Sequence, residues 1–79
     1  MNNEIQKRLI VLGAAESGVG AALLGKQQGW EVFVSDGGKI KDAFRETLMN
    51  AGIAFEEGAH TIEKVLQADC IVKSPGIGE

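Results

Sequence analysis

The chain has 79 residues, of which 44% are hydrophobic, and a formal net charge of −3, so it can form one small domain that buries about 60% of its surface. Its eight basic residues form no cluster, which argues against nucleic acid as a partner, because phosphate backbones are bound by concentrated positive charge. No apolar run is long enough to span a bilayer, no signal-peptide pattern is present, and one cysteine excludes a disulfide framework.

Short apolar runs alternate with segments of helical periodicity along the chain. Gly29 and the sequence Asn50-Ala51-Gly52 are typical helix ends, and Thr61 is a plausible N-cap. The predicted elements are strand 8–12, helix 17–28, strand 31–35, helix 40–50, strand 53–55, helix 61–67 and strand 69–73. This alternation predicts one α/β domain over residues 1–79, a Rossmann-like parallel sheet of strand order 3-2-1-4 with helices on both faces.

A glycine turn follows the first strand and opens the first helix. Against the dinucleotide pattern G-x-G-x-x-G, Gly13 and Gly18 are the first and third glycines, and Ala15 replaces the second. The replacement weakens the case for a dinucleotide, but the amides of a helix N-terminus still favour a phosphate. Glu16 either complements the helix dipole or contacts the ligand, and Ser17 is either the helix cap or a ligand donor.

The ligand crevice is expected between the carboxyl ends of strands 1 and 4, and two further loops, which follow strands 2 and 4, are expected to face it. Asp36 ends strand 2 about 20 residues beyond the turn, where dinucleotide sites place a ribose-binding acid, although aspartate before Gly37 also suits a simple turn. Ser74, Pro75 and Gly76 follow strand 4 and form either a structural turn or a functional loop. Their convergence with the glycine turn favours ligand contact.

The remaining distinctive residues point to no chemistry. Cys70 lies in an apolar run, which predicts a buried, inert thiol consistent with a reducing cytoplasm. His60 has no evident acid or nucleophile as a partner and is predicted to be a surface turn residue. Trp30 is predicted to cover the start of strand 2. The chain contains no P-loop G-x-x-x-x-G-K-[ST], no catalytic set and no metal-ligand spacing.

The motifs together resemble the N-terminal domain of the Mur ligases, which build peptidoglycan precursors. The resemblance covers essentially the whole chain but only the first of that family's three domains, so the chain is expected to be the front part of a larger enzyme. The most specific element is the closing Ser-Pro-Gly-Ile, which favours the members that add D-glutamate; those that add L-alanine usually have Ser-Ser-Ala there. The motifs are residues 9–13, 16–18, 34–36 and 68–77.

The resemblance implies a cytoplasmic, ATP-dependent ligase that adds D-glutamate to UDP-N-acetylmuramoyl-L-alanine. In that family the first domain binds UDP, whereas ATP and Mg belong to the central domain, so this chain alone is expected to be inactive. The glycine turn would contact the diphosphate, the loop after strand 2 the uracil, and the loop after strand 4 the opposite wall. The implied UDP-binding residues are Gly13, Ala15, Glu16, Ser17, Gly18, Asp36, Gly37, Lys39, Ser74, Pro75 and Gly76.

One alternative function and one surface property also follow from the sequence. An NAD-binding module of a dehydrogenase or a ligand-sensing regulator accounts for Asp36, but not for Ala15 or the closing turn. Strand 4 is expected to lie at an open, apolar edge of the sheet. Open edges pair readily with other chains, so self-association through residues 70–72, or disorder near Glu79, is expected.

Overall fold

The computed structural model describes residues 7–73 and contains every element predicted within that range. In chain order these are β1 (Arg8–Leu12), α1 (Glu16–Gln27), β2 (Glu31–Asp36), α2 (Asp42–Asn50), β3 (Ala54–Glu57), α3 (Ile62–Leu66) and β4 (Cys70–Lys73). Element boundaries differ from the predicted ones by one or two residues. The difference is two residues at the start of α2, which begins at Asp42 because Lys41 is extended and Ile40 is a buried loop residue.

The four strands form one parallel sheet in the order β3-β2-β1-β4, which confirms the predicted topology. The register places Val11 beside Val34 on β2 and beside Val72 on β4. Parallel strands end at the same edge of the sheet, so the loops that follow β1, β2 and β3 lie at one end of the domain.

One face of the sheet carries the main hydrophobic core. Because side chains alternate along a strand, Leu9 and Val11 share a face with their register partners Val32 and Val34. Helices α1 and α2 cover this face. The fully or nearly fully buried cluster consists of Leu9, Val11, Ala14, Val19, Ala22, Val32, Val34, Ile40, Leu48 and Ile53.

The opposite face has a thinner cover. Ile10 and its register partner Phe33 lie there, and the Lys64 ammonium of α3 stands 4.6 Å from the centroid of the Phe33 ring. Helices therefore occupy both faces, as predicted. However, α3 has only five residues, and its Ile62 and Leu66 side chains are 63% and 78% exposed.

Glycines set the distance between α1 and the sheet. A Cβ on Gly18 would lie 1.9 Å from the carbonyl oxygen of Gly13, and one on Gly25 would lie 2.6 Å from a methyl group of Leu9. Gly13 itself has φ +103°, a conformation that side chains disfavour. Helix α1 therefore lies closer to β1 than any residue with a side chain at position 18 would allow.

The sheet edge at β4 corrects one prediction. Within residues 7–73, β4 pairs only with β1, and both Cys70 and Ile71 are exposed. The predicted burial of the Cys70 thiol is therefore wrong, because an apolar run at the sheet edge is not covered as a central strand is. Trp30 packs against the core just before β2, as predicted. None of the described helices is long and apolar enough to cross a membrane.

Candidate functional site

The glycine turn brings the amino end of α1 to the carboxyl edge of the sheet. The Gly13 amide donates to the Ser35 carbonyl at 2.8 Å, and the first helical bond runs from the Val19 amide to the Ala15 carbonyl at 2.9 Å. The amides of residues 16–18 precede that bond and therefore have no acceptor within the helix. They form the positive end of the helix dipole, a favourable place for an anion.

The structure excludes the first of the two alternatives for Ser17, which is the role of helix cap. The N-cap position of α1 is Ala15, and no side chain caps this helix. Ser17 lies in the first turn with an exposed side chain, so its predicted capping role is wrong; the helix begins one residue earlier than the predicted start. Glu16 also lies exposed in the first turn, where a carboxylate complements the helix dipole. Ligand contact by either residue stays a prediction.

Asp36 links the glycine turn to the loop after β2. One carboxylate oxygen accepts the Ala14 amide at 2.8 Å, and the other accepts the Gly38 amide at 2.8 Å. The second bond is the turn-forming contact that aspartate commonly makes with its own loop. The first bond crosses 22 positions of sequence. Asp36 therefore holds two loops of the candidate site in a fixed relation before any ligand is bound.

The loop after β3 holds the loop after β2 from the other side. The Gly58 amide donates to the carbonyls of both Asp36 and Gly38 at 2.9 Å. The Ile40 amide donates to a Glu57 carboxylate oxygen at 2.8 Å. Sequence reasoning missed this contact, although the register of β2 on β3 places Asp36 beside Glu57 and so brings the two loops together.

Beneath these loops lies a group of four polar residues, here called the Ser35 cluster: Ser35, Glu56, His60 and Thr61. The fully buried Ser35 hydroxyl is 2.8 Å from Glu56 Oε2, 2.6 Å from His60 Nδ1 and 3.3 Å from the Ala59 carbonyl oxygen. Glu56 also accepts the Thr61 amide at 2.7 Å and the Thr61 hydroxyl at 2.6 Å. Every polar atom buried with Ser35 thus has a partner, as a stable interior requires.

The Ser35 cluster adds contacts to two residues already singled out from the sequence. Thr61 occupies the N-cap position of α3, as predicted, but its hydroxyl donates to Glu56 and makes no cap bond. His60 is exposed, as predicted, in the loop between β3 and α3, yet its ring is hydrogen-bonded to a buried serine. The His60 contact depends on the pairing of β2 with β3, which places Ser35 beside Glu56.

The environment of Glu56 favours its ionised form. Desolvation on burial raises the pKa of this carboxyl, but hydrogen bonds from Thr61 and Ser35, together with the nearby His60, outweigh it. The net result is a pKa below the usual value. Glu56 is therefore a carboxylate, able only to accept hydrogen bonds, at neutral pH.

The other predicted site residues divide into two groups. Gly37 and Lys39 are exposed in the loop between β2 and α2, beside Asp36. Ser74, Pro75 and Gly76 lie outside the described residues, so the opposite wall of the crevice stays a prediction. Among residues 7–73 there is no group of three metal-ligating side chains that could hold an ion.

One groove of the described domain is at the other end of the sheet. Its volume is about 380 Å³, and its charged lining includes Arg8, Lys26, Glu31 and Lys64. These cations already have partners: Arg8 pairs with Glu31 at 3.5 Å, Lys26 donates to a backbone carbonyl, and Lys64 covers an aromatic ring. The groove at the amino ends of the strands is therefore not the candidate site.

Comparison with known proteins identifies the domain type. A family model described as MurD N-terminal domain matches residues 7–79. The chain is 55% identical over 75 residues to UDP-N-acetylmuramoylalanine–D-glutamate ligase of Cytophaga hutchinsonii, which covers 95% of this chain and 17% of that protein. The identity is 58% over 71 residues with the enzyme of the same name from Bacteroides fragilis, covering 90% of this chain and 16% of that protein.

The similarity extends to Chlorobium phaeobacteroides, whose enzyme of the same name is 51% identical over 71 residues, 90% of this chain and 15% of that protein. The chain thus spans about one sixth of the length of these curated relatives. The family model matches nearly the whole chain, and the relatives align with the same part of it. The chain therefore belongs to the MurD N-terminal domain family.

Proposed function

We propose that this domain binds the uridine diphosphate part of UDP-N-acetylmuramoyl-L-alanine for a ligase that adds D-glutamate to it. The name that these relatives share supports the ligase, its UDP-N-acetylmuramoylalanine substrate and D-glutamate. The proposed ligand contacts come from the glycine turn, including Gly13, Ala15 and Glu16, and from the loop carrying Asp36 and Lys39. The loop of residues 74–76 is proposed as the opposite wall.

The observation that carries this proposal is the link that Asp36 makes between the two described loops. It holds the amino end of α1, with the amides of residues 16–18, beside the loop of residues 36–39. In the proposed complex the diphosphate accepts from those amides, and the uracil lies against backbone groups of the second loop. In this arrangement Glu16 contacts the diphosphate through its main-chain amide and turns its carboxylate away from it.

The Asp36 carboxylate argues for UDP over NAD. A dinucleotide site uses the acid after strand 2 to accept hydrogen bonds from a ribose. Here each oxygen of Asp36 already accepts a main-chain amide, so fewer lone pairs are left for a sugar. Ala15, in place of the second glycine, also departs from the dinucleotide-binding pattern.

The chain supplies binding and no step of the ligation. It contains no P-loop, so its residues do not fit the phosphates of ATP. ATP and Mg²⁺ are proposed to bind in the remaining five sixths of the enzyme, and the reaction to take place in the cytoplasm. The 79-residue chain alone is expected to bind nucleotide without turnover.

An amide NMR titration of the chain, with UDP and separately with NAD, tests the proposal. We expect UDP alone to shift the amides of residues 16–18, Asp36 and Gly37. Asp36→Ala should reduce UDP affinity, whereas Asp42→Ala, which removes an exposed acid paired with Arg45, should not. Shifts with NAD but not UDP would support the dinucleotide alternative. No shift with either ligand would contradict UDP binding by this domain on its own.

A further inference from the structure

We propose that His60 is a positioning residue for the loop of residues 36–39: Ser35 holds its ring through Nδ1, and the ring in turn sets the place of Gly37. The part of the inference that concerns ligand affinity rests on the proposed function. The part that concerns the ligand-free loop does not.

The hydrogen-bond acceptors around Ser35 determine which ring nitrogen of His60 carries a proton. The Ser35 hydroxyl has one hydrogen, and two of its three neighbours, the Glu56 carboxylate and the Ala59 carbonyl, can only accept. If that hydrogen pointed to His60, Ser35 Oγ would face Glu56 Oε2 at 2.8 Å with no proton between them. The hydrogen therefore goes to Glu56, and the 2.6 Å contact requires a proton on His60 Nδ1.

This assignment leaves Nε2 as the outer nitrogen of the neutral ring, and that atom lies against Gly37. A Cβ built on Gly37 would be 3.2 Å from Nε2, 3.8 Å from Cδ2 and 4.0 Å from Cε1. All three of its nearest neighbours are thus atoms of one imidazole. Gly37 is not among the described glycines with positive φ, so its backbone conformation does not demand glycine. The His60 ring is therefore the group that a side chain at position 37 would meet.

The loop that His60 contacts is also held by main-chain bonds from the loop after β3. Gly58 donates to the carbonyls of Asp36 and Gly38, and Gly58 lies two residues before His60 in the loop after β3. Loss of the His60–Ser35 bond therefore frees the ring that packs on Gly37 and the segment that carries the Gly58 amide. Both changes loosen the loop of residues 36–39, which is proposed to contact the uracil.

Solvent-exchange NMR of the ligand-free chain, read at the Gly58 amide, tests the positioning role. We expect His60→Ala to speed exchange by about tenfold, the effect of one hydrogen bond. His60→Asn, whose amide N–H takes the place of Nδ1–H, should restore the rate to within about threefold. Gly37→Ala should displace the ring and match His60→Ala, and the double variant should be no faster than His60→Ala alone. Gly20→Ala is the control glycine substitution, because a Cβ there would meet no atom within 4 Å.

Nitrogen NMR of the imidazole supplies a readout that a general loss of stability would not move. The neutral ring should carry its proton on Nδ1, and Ser35→Ala should abolish that preference. A proton on Nε2 in the parent chain, or an unchanged Gly58 rate in His60→Ala, would overturn the proposal. UDP affinity should fall about tenfold in His60→Ala and recover in His60→Asn. If the parent chain binds no UDP, the proposed function fails while the tautomer and exchange results still decide the role of His60.

Discussion

Replacement of Gly18 by alanine tests how closely α1 must approach the glycine turn. The new Cβ would lie 1.9 Å from the Gly13 carbonyl oxygen and 3.3 Å from a Val11 methyl group. An ordinary contact begins near 3.4 Å, so the helix would have to move by about 1.5 Å, and the atom it meets is backbone and cannot rotate away. Overpacking of this kind costs about 3 kcal/mol or more.

That cost is large for a domain of this size. A chain of 79 residues has a total stability of about 4–12 kcal/mol, and each kcal/mol lost lowers Tm by about 4–8 °C. Gly18→Ala should therefore lower Tm by about 12–24 °C in a thermal scan followed by circular dichroism.

Gly20→Ala is the matched control on the same helix. A Cβ there would meet no atom within 4 Å, and alanine is favoured over glycine in a helix by about 1 kcal/mol, so Tm should rise. A Gly18→Ala variant as stable as the parent, with the same turn geometry, would refute the close-approach argument.

Three further predictions concern the site, its acid response and the sheet edge. Asp36→Ala removes the acceptor of two amides and should destabilise the domain by about 1–3 kcal/mol in urea unfolding; an unchanged midpoint would show that the link is not stabilising. The depressed pKa of Glu56 stabilises the fold above its unfolded value of about 4.3, and this contribution is lost as pH falls through the folded pKa. Glu56→Gln should flatten that acid dependence, and a parallel pH profile would count against it. The exposed Cys70 thiol should react with a thiol reagent in the folded chain nearly as fast as in urea; strong protection would contradict its exposure.

Hydrophobic periodicity was sufficient to predict the fold. Alternation of apolar runs with helical segments implied the parallel sheet and its order, because right-handed crossovers leave few other topologies. The predicted start of α2 is two residues too early, because Ile40 is apolar but belongs to the loop that closes the core. An apolar residue beside a helix cannot be distinguished from the helix's first turn by periodicity alone.

The candidate site was less accessible to sequence reasoning because its contacts cross the sheet. Threonine before a helix favours a cap, and Thr61 does occupy the N-cap position of α3, yet its hydroxyl makes no cap bond and donates to a carboxylate five residues earlier. The cluster of Ser35, Glu56 and His60 depends on strand register, which a single sequence does not specify. Once the order of β2 and β3 is known, a serine opposite a glutamate at the carboxyl edge is the signal that locates it.

The unequal cover of the two sheet faces has a consequence for how the domain opens. Regions with few buried apolar contacts exchange their amides through local openings, whereas a dense core exchanges only on global unfolding. Helix α3 and strand β4, with Leu66 and Ile71 largely exposed, belong to the first class; Val11 and Val34, fully buried, belong to the second. A ligand that contacted both regions would stabilise β4 against local opening by linking it to the core strands. Its binding would therefore slow amide exchange in β4 before any change in β1.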